Sequence, residues 1–505
     1  MVSLNKNIMR TILIASYIML IALLTYGLSA VFGYLNTGAD RSKMLHTEIS
    51  KVEQYLPKIV WQPLQNEGRP MDNENLNALQ SDYLDAWYVK QIAYKTNKTA
   101  GIKDYYTKSA RENLFNFIEH NKKNNITIES TTLNHNPNLE FFSEDGQLAV
   151  ITDKHVIEYK RVFKGDSIIH ETKETSTYKI VFLLEDGFWR IRHMVKEQAA
   201  DLNSDFKNIV TDNLKIKGIN YYPQATPWNM FGEQFSTDII AKDFKIIKDV
   251  GLNSIRIFVQ YDDFGAARVN PIKLNRLIQT LDVAKAYNLK VVLTLFDFYG
   301  DYSVMNWTLN QRHAEQIIEA VKNHVAILAY DVKNEPNLDF ESRGKENVIA
   351  WLSNMIDLIK KVDNQHPVTI GWSNTQSATI LLDKVDFVSF HYYEDLNLLN
   401  DAVISLKKHI KNKPLVMQEF GLSSYKGFWK PFGSTEEDQG NYHKLAQSII
   451  AKNDLQFMSW TLYDFTKIPK EVVGRLPWRK RVQGHFGFIN QKGETKPAFQ
   501  YISNE

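Results

Sequence analysis

The chain has 505 residues, of which 44% are hydrophobic, 12% aromatic and 23% charged. At about 150 residues per domain this exceeds one small module, and the apolar content excludes disorder throughout. Lys plus Arg number 60 against 58 Asp plus Glu, without the positive excess of a protein that grips a phosphate backbone, so nucleic acid is not an expected partner. With Cys 0, disulfides, zinc thiolates, cysteine nucleophiles and an acylated cysteine anchor are excluded.

After Lys6 and Arg10 no charge appears from Thr11 to Asn36, and Ile12 to Ile14, Tyr17 to Leu24 and Leu28 to Phe32 make a nearly continuous apolar run. A bilayer span needs about 20 such residues and a signal peptide core about 7 to 15. A retained single-pass anchor over residues 1–39 is therefore expected, with cleavage near Gly27 to Ala30 and a buried core helix as the alternatives. Lys6 and Arg10 favour a cytoplasmic N-terminus, but Arg41, Lys43 and Lys51 lie on the far side, so charge alone does not set the orientation.

Residues 40–60 suit a helical stalk interrupted by Pro57. Leu76, Leu79, Tyr83, Trp87 and Tyr88, and then Leu114, Phe117 and Ile118, recur at helical spacing. Strands are expected at 126–129, 148–151, 155–159 and 178–184, with a hairpin through Glu185-Asp186-Gly187 into 188–191. Helices followed by a curved antiparallel sheet resemble the cone-shaped NTF2-like domains, over residues 40–200. That resemblance assigns no chemistry, and the unit could equally take a protein partner. His155, His170 and His193 are isolated in strand-rich sequence and read as exposed or structural groups. A polar stretch from Ala199 to Asn213 gives a linker, placed at 201–213.

From Leu214 short apolar segments alternate with amphipathic ones. Strands are expected at 215–222, 254–259, 290–296, 327–332, 367–372, 387–392, 415–420 and 457–462, with helices such as that of Leu274, Leu277, Ile278 and Leu281 between them. Eight such units in roughly 290 residues match a (β/α)8 TIM barrel over 214–505, whose functional groups sit at the C-terminal ends of the strands.

Two carboxylates stand there: Asn334-Glu335-Pro336 ends the fourth strand and Gln418-Glu419-Phe420-Gly421 the seventh. A retaining glycosidase needs a carboxylic acid to protonate the leaving oxygen and a carboxylate to attack the anomeric carbon, about 5 to 5.5 Å apart. Over Leu214 to Ile502 the sequence resembles the clan A retaining glycoside hydrolases, most closely the cellulase-like family 5. The resemblance makes Glu335 the acid/base and Glu419 the nucleophile. It gives Arg256 the orienting of the nucleophile, Asn334 the sugar 2-hydroxyl, and His391 and Tyr393 the His-x-Tyr element after strand six. Trp460 would stack under the sugar next to the cut. The His that family 5 usually places after strand three is absent, Phe296-Asp297-Phe298-Tyr299 standing there, so the substrate does not carry over. Tyr222, Trp307 and Trp478 are further candidates for sugar contact. The loop from Thr466 to Gln483 carries Lys467, Lys470, Arg475, Arg479, Lys480 and Arg481, a solvated face or a subsite for anionic sugars.

The combined expectation is a membrane-anchored, extracytoplasmic, retaining β-glycosidase, acting on an internal linkage of a β-linked glycan and needing neither metal nor organic cofactor. A transglycosylase with the same carboxylates and a non-catalytic glycan-binding scaffold are the alternatives.

Overall fold

The structure, a computed structural model, describes residues 6–35, 54–201, 209, 211, 214–410 and 413–503. Free of proline, the N-terminal run forms one helix, α1 (Lys6–Leu35, 30 residues), and its side chains from Leu13 to Leu28 are exposed. Among the described residues, which in α1 include the side chains of 13–28 and 31 only, no helix is long and apolar enough to cross a membrane. The expected stalk lies outside the described residues up to 53. From residue 54 it is not helical: the chain runs without regular structure through Pro57 into β1 (Lys58–Ile59), because proline cannot continue a helix and Tyr55 is held against Tyr88 and the Thr132 hydroxyl.

An α+β unit follows. Its elements are β2 (Glu67–Gly68), α2 (Asn73–Thr96), α3 (Ile102–Tyr105), α4 (Lys108–Lys123), β3 (Ile126–His135), β4 (Pro137–Phe142), β5 (Leu148–Lys164), β6 (Ser167–Glu185) and β7 (Phe188–Asp201). Asp72 caps α2 by accepting from the Asn75 N–H at 2.8 Å, relieving one of the unpaired amides of the first turn. Strands β3 and β4 both pair antiparallel with β5, which pairs on its other edge with β6, and β6 with β7. The segments expected as two strands at 148–151 and 155–159 are one strand. The register shifts between Asp153 and Val156, where His155 takes φ +57°, so what reads as a break is a β-bulge that bends the sheet. The β6–β7 turn is made by Asp186 and Gly187, both at positive φ, as a two-residue hairpin with strand-matching twist requires. Strand β7 continues to Asp201, so the polar stretch from Ala199 begins as strand. The sheet closes over α2 around Leu79, Tyr83, Trp87, Ile151, Ile180 and Trp189.

The second unit is the barrel: β8 (Lys217–Asn220), α5 (Thr237–Asp249), β9 (Ser254–Gln260), α6 (Pro271–Ala286), β10 (Lys290–Asp297), α7 (Trp307–Val321), β11 (Ile327–Asn334), α8 (Phe340–Arg343), α9 (Lys345–Val362), β12 (Val368–Trp372), β13 (Val388–Tyr392), α10 (Leu396–His409), β14 (Leu415–Phe420), α11 (Glu436–Lys452), β15 (Gln456–Ser459), α12 (Lys470–Val473) and α13 (Pro477–Gln483). The eight strands β8 to β15 close in chain order with every pairing parallel, a (β/α)8 barrel. Continuous apolar runs suit strands covered on both faces, and helix starts carry their own signals, Asn270 before Pro271 in α6 and a Thr435/Asp438 capping box in α11.

The α+β unit docks along α7 and α9. Tyr159 stacks on Trp307 at 4.4 Å, Arg161 bonds Asn347 and the Glu346 carbonyl, Lys173 pairs with Asp357 at 2.8 Å, and Leu56 N–H donates to Thr308. Leu133 and Tyr159 belong to the barrel's own apolar core.

Candidate active site

Polar side chains inside an apolar barrel need partners, and at the C-terminal ends of these strands they find one another around Arg256 of β9. Its Nη2 donates to Asp331 Oδ2 at 2.6 Å and to Asn334 Oδ1 at 2.9 Å, its Nη1 to Glu419 Oε2 at 3.3 Å and Asn220 Oδ1 at 3.1 Å, and its Nε to Thr294 Oγ1 at 3.0 Å. Burial works against its charge, but Asp331 and then Glu419 outweigh that and hold the guanidinium above its usual range. The donors of a planar fork are thus spread over strands β8 to β11 and β14, which fixes the group in place.

Glu419 leaves β14 with both oxygens engaged: Tyr393 donates its hydroxyl to Oε1 at 2.6 Å, opposite the Arg256 contact on Oε2. Tyr393 is 43% exposed along its ring, yet burial of the hydroxyl end, followed by the Glu419 charge, holds the phenol well above its ordinary value. The phenol therefore keeps its proton and donates a hydrogen bond to Glu419. Glu335 follows β11 in the left-handed region, φ +49° and ψ +48°, with its N–H on the Gly371 carbonyl at 2.7 Å. A non-glycine residue before a proline is strained there and is kept by its surroundings. His391 of β13 joins the two acids, Nδ1 lying 3.0 Å from Glu335 Oε1 and 3.8 Å from Glu419 Oε2. Oxygens of the two glutamates and the imidazole nitrogen all lie within 4.8 Å of one another. The trio could crowd a cation, but the Arg256 guanidinium already holds one Glu419 oxygen and repels a second positive charge.

A sequence model described as Cellulase (glycosyl hydrolase family 5) matches residues 212–466. The chain belongs to glycosyl hydrolase family 5. Among its relatives, the beta-glucuronidase of Chlorocebus aethiops is 24% identical over 282 residues, covering 51% of this chain and 40% of that protein. The mannan endo-1,4-beta-mannosidase 1 of Solanum lycopersicum is 22% identical over 393 residues, covering 61% of this chain and 92% of that one. The solved exo-beta-1,4-mannosidase Op5Man5 from Opitutaceae bacterium strain TAV5 superposes with a TM-score of 0.44 at 16% identity, covering 57% of this chain and 58% of that chain. This family 5 chain thus spans well under half the length of the glucuronidase it matches.

Within the family 5 barrel the structure brings together Arg256, Asn334, Glu335, His391, Tyr393 and Glu419. Asn334 presents its carbonyl to Arg256, which leaves the amide Nδ2 for a sugar hydroxyl. Trp460 closes the cleft floor with Tyr222, Trp228 and Phe258, ring centroids 6.0 to 6.4 Å away; Tyr222 stacks on Phe258 and is buried, a support for that floor. Trp307 does not reach the cleft. It is 1% exposed, under Tyr159 of the other unit, so its apolar ring serves the interface. Trp478 of α13 lies beside Trp429, centroids 6.0 Å apart, in the outer rim.

Sequence reasoning missed the parts played by Asp331, Thr294 and Asn220. Asp331 is fully buried and binds Arg256, the Thr294 hydroxyl and the Gly371 N–H. A carboxylate among the apolar residues Ile327 to Val332, four residues before Glu335, was the available signal. The histidines set aside, His155, His170 and His193, are exposed. His135, not singled out, is buried and bonded to Thr132 and Asp153 at 2.8 and 2.6 Å.

Proposed function

We propose that this protein is a retaining β-glycoside hydrolase that cleaves a β-linked polysaccharide or oligosaccharide by double displacement. The observation that carries the reading is the approach of an oxygen of Glu335 and one of Glu419 to within 4.8 Å, in keeping with the short carboxyl spacing of a covalent mechanism rather than the wider spacing that inversion needs. Glu335 protonates the leaving glycosidic oxygen while Glu419, aimed by Arg256 and Tyr393, attacks the anomeric carbon. Glu335, now a carboxylate, then takes the proton of the water that attacks the glycosyl-enzyme, and the bond to Glu419 breaks. Asn334 Nδ2 would hold the 2-hydroxyl beside the cut, and Trp460 would carry the sugar's apolar face.

Glucuronidases and mannanases among the relatives support a hexopyranoside or hexuronide substrate. The cations of the loop after β15, with Lys426 and Lys430 in the loop after β14, support an anionic glycan. The unbroken helix α1, with exposed side chains from Leu13 to Leu28, supports a single-pass anchor that keeps the enzyme at the cell envelope. The helices-then-sheet order of residues 54–201 supports an NTF2-like reading of the α+β unit.

The test is turnover on aryl β-glucuronides, β-mannosides and β-glucosides and on β-linked polymers, with Glu419→Ala and Glu335→Ala. Each substitution should cost about 10²-fold to 10⁴-fold or more in kcat. Azide should rescue Glu335→Ala on activated substrates and yield the β-glycosyl azide. An α-azide from that variant, or unchanged turnover in both, would overturn the assignment.

A further inference from the structure

A cavity of about 120 Å³ lies in the α+β unit, well away from the carboxylate pair, between α2, α4 and the sheet. That is roughly ten times the about 10–15 Å³ a single water needs. Its wall carries polar atoms that form no well-aligned hydrogen bond within the fold: the Trp87 Nε1–H, which only approaches the Tyr83 hydroxyl, and the amide and carbonyl of the Gln91 side chain, which only approaches the Tyr55 hydroxyl, residues only 1% exposed. Leaving such groups unsatisfied costs about 1–3 kcal/mol each, so three converging on one cavity mark a place where something else satisfies them.

The charges around them say what. Lys90 and Lys160 line the cavity with Glu158, and just behind them Lys196 pairs with Glu174, which also lies 4.0 Å from Lys160, so three cations stand against two carboxylates. Lys90 Nζ sits 3.7 Å over the Trp87 ring and 3.6 Å from Met194 Sδ, neither of which neutralises it. Burial drives its ammonium down to about 8, outweighing Glu158. The balance calls for one negative charge. Glu158, which accepts the Tyr178 hydroxyl at 2.7 Å, and the Gln91 carbonyl call for donors, and the Tyr94 and Phe117 rings for an apolar face. The floor is rigid: Thr132 is tied to Tyr55 and through His135 and Asp153 to Tyr83.

We propose that this cavity is a second ligand site for a small ring-shaped polyhydroxy carboxylate, a free uronic acid in chemical class. Its carboxylate lies on Lys90 and the Trp87 and Gln91 N–H groups, and its hydroxyls on the Gln91 carbonyl and Glu158. The assignment stands on the α+β unit alone and does not depend on the reading of the barrel cleft.

The experiment is calorimetric titration of the full chain carrying Glu335→Gln and Glu419→Gln, so that turnover at the barrel is silent, with sodium glucuronate, sodium galacturonate and glucose. The expected result is saturable binding of a uronate at one equivalent, with glucose weaker by at least about tenfold. Adding Lys90→Met or, separately, Gln91→Leu should weaken that binding by at least about tenfold at an unchanged melting temperature. Absence of saturable binding of either uronate up to about 10 mM, or affinities unchanged in both cavity variants, would overturn the site.

Discussion

Gly371 of β12 is where the catalytic centre tolerates least. A Cβ there would stand 2.9 Å from Arg256 Nη2, 3.1 Å from Gln418 Oε1 and 3.2 Å from Asp331 Oδ2, and its carbonyl anchors the strained Glu335 backbone. The guanidinium is pinned on every donor and cannot slide aside, so one methyl group must displace Arg256 or Glu335. Displacements of this size at a reacting pair cost on the order of 10²-fold. Gly371→Ala should therefore lower kcat on an activated aryl glycoside by about ten- to a hundredfold with KM little changed. Wild-type kcat in that variant would show that the Arg256 clamp does not govern Glu419.

Two helices hold histidines that the chemistry does not use. His313 of α7 and His443 of α11 are fully buried, and burial lowers them to about 4 and about 3. Both ring nitrogens of His443 lack a partner, and its ring packs 4.4 Å from Phe488. A base depressed in the folded state contributes stability that is whole above the unfolded value of about 6.5 and is lost as pH falls below it, until the folded value is reached. The loss is about 1.4 kcal/mol per histidine per pH unit in that window. Urea midpoints should fall steeply from pH 6.5 to 4.5, and His443→Phe should flatten that slope without destabilising at pH 7.5. An equal slope in the variant would remove His443 from the acid sensitivity.

Elements of this kind were legible to different degrees. All eight barrel strands could be read because runs such as Val291 to Phe296 are covered on both faces, and Glu335 and Glu419 because they sit where such strands end. Asp331 escaped because it lies within the run of β11, two residues from Lys333, where a charge looks like half of a local pair until its partner on β9 is known. The bulge at His155 imitated a loop, since a shift in side-chain alternation looks the same whether or not pairing continues. Trp307 was misplaced because a tryptophan in a rim loop suits a sugar as well as it suits Tyr159, and the sequence does not announce docking between units far apart in the chain.

At the scale of the molecule the two units share one core. Tyr159 and Leu133 are packed into the barrel's apolar cluster, and Trp307 is covered from the other side. Calorimetry should therefore give one unfolding transition for residues 54–503, and Trp307→Ala should cost about 3–5 kcal/mol and split or broaden it. Two independent transitions in the wild type would count against the shared core. A barrel begun at Leu214 would likewise uncover Trp307 and is a poor test of catalysis.

The same docking gives the cleft a direction. Trp307, Thr308, Glu346 and Asn347 stand at the starts of α7 and α9, on the rim beyond β10 and β11, so the α+β unit walls that side. Across the ring stand β14 and β15, whose loops carry exposed Phe428, Trp429 and Phe432 with the basic residues. A glycan held at the two carboxylates as proposed would have its free run on that open bank and meet the α+β unit on the walled one.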